Sequence, residues 1–157
     1  MNPRVFALWG GLVMLAMGVL SLIPSLAGTT ETLPPLLNEA SYGAFLGMFP
    51  MNIFNKLTLI VFGIAGVTAA TSAYTSLPAS IYFARVTLFV FGAAAILGLF
   101  AATDTLGGYW PLFGGEVWLH GIFAVLGGYF GYALTARVPA VKPRGGPSDF
   151  RTATHQI

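Results

Sequence analysis

Residues 5–23 read VFALWGGLVMLAMGVLSLI, nineteen positions with no charge and no strongly polar group. Wound as a helix they extend about 28 Å at roughly 1.5 Å per residue, close to the hydrocarbon thickness of a bilayer. The run exceeds the 7 to 15 apolar residues usual in a signal peptide, so it reads as a first membrane span. The rest of the chain has the same character. Hydrophobic residues make up 56% of the 157 positions, charged residues 8%, and the mean hydropathy is +0.79. A soluble domain carries roughly a quarter charged residues to hold its surface in water, so a water-soluble fold is excluded on surface chemistry alone.

Working outward, Ala40 to Ala84 holds a single charge, Lys56, and is too long for one crossing of about 20 residues. Pro50, Asn52, Asn55 and Lys56 divide it into a short interfacial piece near Ala40 to Phe49 and a second span from about Met51 to Thr71, with Pro50 suited to a first helical turn. Ser72 to Ser80, containing Pro78, reads as the turn. Val86 to Thr103 supplies a third uncharged run, and Val117 to Ala136 a fourth, broken only by His120. The expected fold is all-α: an integral membrane bundle of four transmembrane helices over residues 1–137, followed by a flexible cytoplasmic tail over residues 138–157. That tail is rich in Pro, Gly and polar residues and too poor in apolar area to order itself.

Basic residues near span ends are retained on the cytoplasmic side. Arg4, Arg85, Arg137, Lys142, Arg144 and Arg151 fall on one side of the four-span topology, and Lys56 alone falls on the other. Glu31, Glu39, Asp104 and Glu116 lie in or beside the opposite loops, with Tyr109 and Trp110 as interfacial aromatics. The expectation is a multi-pass protein of a bacterial inner membrane with both termini cytoplasmic.

An internal repeat is also legible. Arg4-Val5 and Arg85-Val86 each open an apolar run, with Gly11 and Gly92 at the same offset. Phe49, Asn52, Phe54, Lys56 and Gly63 match Phe113, Glu116, Trp118, His120 and Gly127 in spacing. The pattern suggests two duplicated helical hairpins, related by an axis along the membrane normal; shared glycines in two apolar helices are the competing explanation. Small residues four apart, Ala65 and Ala69, Ala94 and Gly98, Ala124 and Gly128, Gly127 and Gly131, read as helix-contact ridges in a medium where no hydrophobic force drives association.

Function is less legible than fold. The net charge is only +2 and the basic residues form no dense stripe, which disfavours nucleic acid as a partner. Cysteine is absent, which removes disulfides, thiol nucleophiles and cysteine-ligated metals. The polar candidates are Asn52, Asn55, Lys56, Glu116 and His120. Glu116 and His120 are four apart and share a helix face, as do Asn52 and Lys56, so a Lys56 to Glu116 contact beside His120 is expected. Ionisable groups within spans are costly and usually paired. Three readings of this cluster stay open: a structural clamp, a proton-handling or ligand-binding site, and axial ligation of a pigment or haem through His120. His155, alone in the tail, lacks partners for a metal. No Ser/His/Asp set, second carboxylate pair or ligand trio is present, so no catalytic or metal site is expected and the chain does not read as an enzyme. No cofactor is identified.

The segments Phe49-Pro50-Met51-Asn52-Ile53-Phe54-Asn55, Ala84-Arg85-Val86 and, above all, Tyr109-Trp110-Pro111-Leu112-Phe113-Gly114-Gly115-Glu116-Val117-Trp118-Leu119-His120 resemble the bacterial membrane family catalogued as domain of unknown function 4383. The resemblance covers roughly Arg4 to Arg137 and implies a four-span membrane protein. It also implies departures from the family at Lys56, where the family carries histidine, and at Glu116, where it carries aspartate or a similar residue. It brings no mechanism. Two function classes follow: a structural or accessory subunit of a membrane assembly, whose partners are the bilayer and other membrane subunits or a second copy, and a small transporter or ligand-binding membrane protein that uses the polar cluster.

Overall fold

The first helix, α1, spans Pro3–Leu20. Asn2 caps it by accepting from the Arg4 N–H at 3.1 Å, and Pro3 occupies the first turn, where a missing N–H costs nothing. The helix stops short of the full apolar run, and a short helix, α2 (Pro24–Ala27), follows. The computed structural model describes residues 2–135; the tail expected over 138–157, and His155 with it, lies outside the described residues. Two strands, β1 (Gly43–Phe45) and β2 (Phe49–Met51), then form an antiparallel hairpin with Ala44 opposite Pro50. The interfacial piece expected at Ala40 to Phe49 thus takes the form of a hairpin. Pro50 lies in a strand and is not the first turn of a helix.

Helix α3 runs Ile53–Thr71, two residues shorter than the span read from the sequence. Asn52 and Asn55 fix its start reciprocally: Asn52 Oδ1 accepts from the Phe54 N–H at 3.0 Å, and Asn55 Oδ1 from the Asn52 N–H at 3.2 Å. Helix α4, Ser76–Gly98, corrects the expected turn at Ser72 to Ser80. Pro78 falls in its first turn, a position where proline is tolerated, so the connection shrinks to Ser72–Thr75 and the helix ends five residues before Thr103. Helix α5 spans Gly115–Gly128 and continues as a π-helix over Tyr129–Ala133.

Among the described residues, α1, α3 and α4 are long and apolar enough to cross a membrane. Packing places α1 antiparallel to α3 and α4 antiparallel to α5, with glycines at the closest approaches. A Cβ on Gly63 would lie 2.5 Å from the Leu15 nitrogen, and one on Gly127 2.6 Å from the Ala84 oxygen. Only backbone close to backbone leaves so little space. The buried positions recur. In α1 they include Pro3, Ala7, Gly11, Met14 and Gly18, and in α4 Ser76, Ser80, Ala84, Thr87 and Phe91, each 73 residues later. In and before α3, Asn52, Lys56, Leu59, Gly63 and Gly66 are matched 64 residues later by Glu116, His120, Phe123, Gly127 and Phe130. This corrects the register read from Arg4 and Arg85: Gly11 is equivalent in burial to Ala84, whereas Arg85 is exposed and Gly92 only half-buried.

The segments before α3 and before α5 cover one end of the bundle. The Leu37 and Asn38 N–H groups both donate to the Gly108 carbonyl, joining the two segments. Gly115 lies against the Met48 carbonyl, which seats the hairpin on the start of α5.

Candidate functional site

The polar residues singled out by sequence gather where this cap meets the helix ends. Asn52 is fully buried, and its Nδ2 donates to the Tyr109 carbonyl at 2.7 Å and to the Asn38 carbonyl at 3.2 Å. Asn55 Nδ2 donates to the Pro111 carbonyl at 2.9 Å and to Glu116 Oε2 at 3.1 Å. Two amides that begin α3 therefore also hold the segment leading into α5. Main-chain carbonyls removed from water need such donors, and a side-chain amide supplies two N–H bonds from a single residue.

Glu116 sits in the first turn of α5 and is fully buried, a favourable end of the helix for a carboxylate. Its Oε2 lies 3.4 Å from His120 Nε2, one turn along. The imidazole is 5% exposed and meets the ring of Phe91 edge-on, with centroids 5.3 Å apart. Three buried side-chain atoms have no hydrogen-bond partner among the described residues: Glu116 Oε1, His120 Nδ1 and Trp110 Nε1. Chemically, a carboxylate touching an imidazole can hold or exchange a proton.

Lys56 does not join this group. The expected contact with Glu116 is replaced by bonds from Nζ to the Ser41 carbonyl at 2.6 Å and to Ser41 Oγ at 2.8 Å. Helical geometry explains the correction, since adjacent residues differ by about 100° around the axis. Asn55 faces α5, so Lys56 turns toward the other cap segment and the flank of α1, where Gly18 touches its carbonyl. Ser41 adopts a left-handed conformation at φ +56°, which orients its carbonyl and hydroxyl toward one amine. Sequence reasoning missed Ser41, because nothing in Ala40-Ser41-Tyr42 signals that turn. It placed Trp110 at the interface without seeing that its indole N–H is buried. Among the described residues no three His, Asp or Glu side chains converge as a metal site would require.

Beside His120 lies a half-open cavity of about 250 Å³ between α3, α4 and the segment before α5. Thr58, Val90, Phe91, Ala94, Leu97 and Trp110 form most of its wall.

A family model described as a domain of unknown function, DUF4383, matches residues 4–133. The chain belongs to this family. Apart from Pro3 at the start of α1, the match takes in all the helices and both strands of the described residues, together with all five residues of the polar group. No curated protein and no solved structure matches the chain. Membership therefore places these residues within the family's domain and assigns them no activity.

Outside the helices, Tyr42 donates to the Pro34 carbonyl at 3.0 Å. Burial, and to a smaller extent the nearby Glu39 carboxylate, pushes its phenol above the usual value of 10.0.

Proposed function

We propose that this chain is a four-span protein of a bacterial inner membrane, with both termini cytoplasmic, acting as a structural or accessory subunit of a membrane assembly and not as an enzyme. In this reading α5 and its π-helical continuation, nineteen residues from Gly115 to Ala133, make the fourth span. The helix flanks carry large apolar side chains outward, among them Trp9, Val61, Phe89, Trp118 and Val125, as lipid or neighbouring subunits require. Arg4 and Arg85 lie toward the end that also holds the α3–α4 connection. Glu31, Glu39 and Asp104 lie in the cap segments at the other end. Lys56, the one basic residue on that side, is held within the cap by Ser41, so it does not offset the bias.

The observation that carries the reading is the side-chain lattice of Asn52, Asn55 and Glu116. Its amide groups bond the Asn38, Tyr109 and Pro111 carbonyls of the cap, the start of α3 and Glu116, and so join the two helical hairpins. The recurrence of buried positions supports duplication of those hairpins about an axis along the membrane normal. The test is extraction of the tagged full chain from its native membrane in a mild detergent. Recovery at a fixed stoichiometry with other membrane subunits, or as a homo-oligomer, is expected. A free monomer, from cells whose membrane complexes are unchanged when the gene is deleted, would defeat the proposal.

A further inference from the structure

Arg85 is a charge on an outward face. It shares one flank of α4 with Tyr82, 71% exposed, and Phe89, 65% exposed, so its stem emerges where lipid meets the helix. A cation on such a face is costly unless it meets headgroups or pairs with an anion. Among the described residues no carboxylate reaches it. Nor is it free to swing. Its Nε donates to the Gly131 carbonyl, in the π-helical continuation of α5, at 2.9 Å, and its guanidinium carbon lies 4.6 Å from the centre of the Tyr132 ring. In this wider turn, closed by the Leu134 N–H on the Tyr129 carbonyl, the Gly131 carbonyl also accepts from Thr135 Oγ1 at 3.0 Å. Gly131 leaves room for the arginine stem, since a Cβ there would lie 2.9 Å from Arg85 Cγ. Single π-turns within α-helices recur at functional sites.

With Nε committed, the guanidinium keeps its paired Nη1 and Nη2 edge, which matches two oxygens of a phosphate. Its depth suits a headgroup. Phe6 stacks on Phe130 at 5.3 Å and packs on Phe83 at 5.9 Å, which sets α1, α4 and α5 at one level. Within a turn of that level stand exposed Trp9, Tyr82, Tyr129 and Tyr132, the amphipathic aromatics of a bilayer interface. The described acidic residues, Glu31, Glu39, Asp104 and Glu116, all belong to the cap at the other end, so nothing described near Arg85 would receive a choline or an ethanolamine. We propose that Arg85, held by Gly131 and Tyr132, binds the phosphodiester of an anionic glycerophospholipid whose acyl chains run along Phe89. The inference rests on α4 and α5 crossing the bilayer, and neither on which side is cytoplasmic nor on the accessory role proposed above.

The test titrates the full chain, purified in detergent, with palmitoyl-oleoyl phosphatidylglycerol or phosphatidylcholine and counts retained lipid by native mass spectrometry. Phosphatidylglycerol should be retained saturably and at lower concentration than phosphatidylcholine, and excess glycerol phosphate should not displace it. Arg85→Gln should weaken that retention at least about tenfold, as the loss of a charge-assisted pair requires. Arg4→Gln removes the same charge from another exposed arginine and should leave retention unchanged. Arg85→Lys, which keeps the charge and loses the fork, should weaken it several-fold and serves if Arg85→Gln does not fold. Equal retention of the two lipids, or equal losses in Arg4→Gln and Arg85→Gln, would overturn the site. Displacement by glycerol phosphate would make the ligand a soluble phosphate and overturn the lipid. Wild-type retention in Arg85→Lys would overturn the role of the fixed guanidinium. Cysteine labelling reads the crossing separately, so a chain that labels as four spans yet shows no lipid preference defeats this inference alone.

Discussion

Replacing Asn55 by leucine tests how the cap is held. The substitution preserves approximate volume and removes three bonds: those from Nδ2 to Pro111 O and to Glu116 Oε2, and that from the Asn52 N–H to Oδ1. Each buried partner left unmade costs about 1 to 3 kcal/mol. Three such losses would sum to about 3 to 9 kcal/mol if none could be repaired. Pro111, Asn52 and Glu116 are all buried, but they lie at the cap, where a local opening admits water, so the lower part of that range, about 3 to 5 kcal/mol, is expected. The assay is reversible unfolding in mixed micelles, followed by far-ultraviolet circular dichroism, on Asn55→Leu, Glu116→Leu and the double variant. The pair should couple by about 1 to 3 kcal/mol, so that the double variant is more stable than the sum of the singles implies. The same cycle for Lys56 and Glu116 should close to within about 0.5 kcal/mol. A large Lys56–Glu116 coupling, with none between Asn55 and Glu116, would refute the arrangement.

Gly127→Leu should lower stability by about 1 to 3 kcal/mol or more, because the new side chain meets backbone at Ala84 and Leu88; unfolding in the same micelles at wild-type denaturant would place Gly127 away from α4. Lys56→Met should release Ser41 and the loop around it, read as faster amide exchange over residues 38–46 with little change in α5, whereas exchange changes centred on Glu116 would restore the discarded pairing. For Tyr42 the sign is set by its raised pKa: the folded chain keeps the phenol proton longer than the unfolded chain, so its contribution is intact below 10.0 and is lost as pH climbs beyond it. Melting temperatures of wild type and Tyr42→Phe should therefore converge above pH 10.0, and parallel curves would exclude this linkage.

The three helices long and apolar enough to cross a membrane were legible because bilayer physics leaves so few options for long uncharged runs. Their ends were not, since local bonds set them. Asn52 displaced Pro50 as the start of α3, and Pro78 passed for a breaker although the first turn of α4 accommodates it. The match of Lys56 with His120, and of Gly63 with Gly127, survived in the burial pattern. The match of Arg4 with Arg85 failed, because outward-facing residues carry no packing constraint. In the polar group, the one-turn spacing of Glu116 and His120 was enough to bring them together. The partner of Lys56 was not legible, as a left-handed serine in a cap segment leaves no mark in a single sequence. Asn55 emerged as the residue joining the two halves because its amide reaches a carbonyl and a carboxylate at once, a role invisible to periodicity.

The central claim is a four-span topology with the cap outside, and single cysteines read it directly because the chain has none of its own. Thr30 and Ala102 are exposed in the two cap segments, and Thr75 is exposed in the α3–α4 connection. In intact cells a membrane-impermeant maleimide should label cysteine at Thr30 and at Ala102, and should reach cysteine at Thr75 or at Ser148 only after the membrane is opened. Labelling of Thr75 in intact cells with Thr30 protected would invert the orientation, and labelling of Ser148 together with Thr30 would show that α5 and its continuation do not cross.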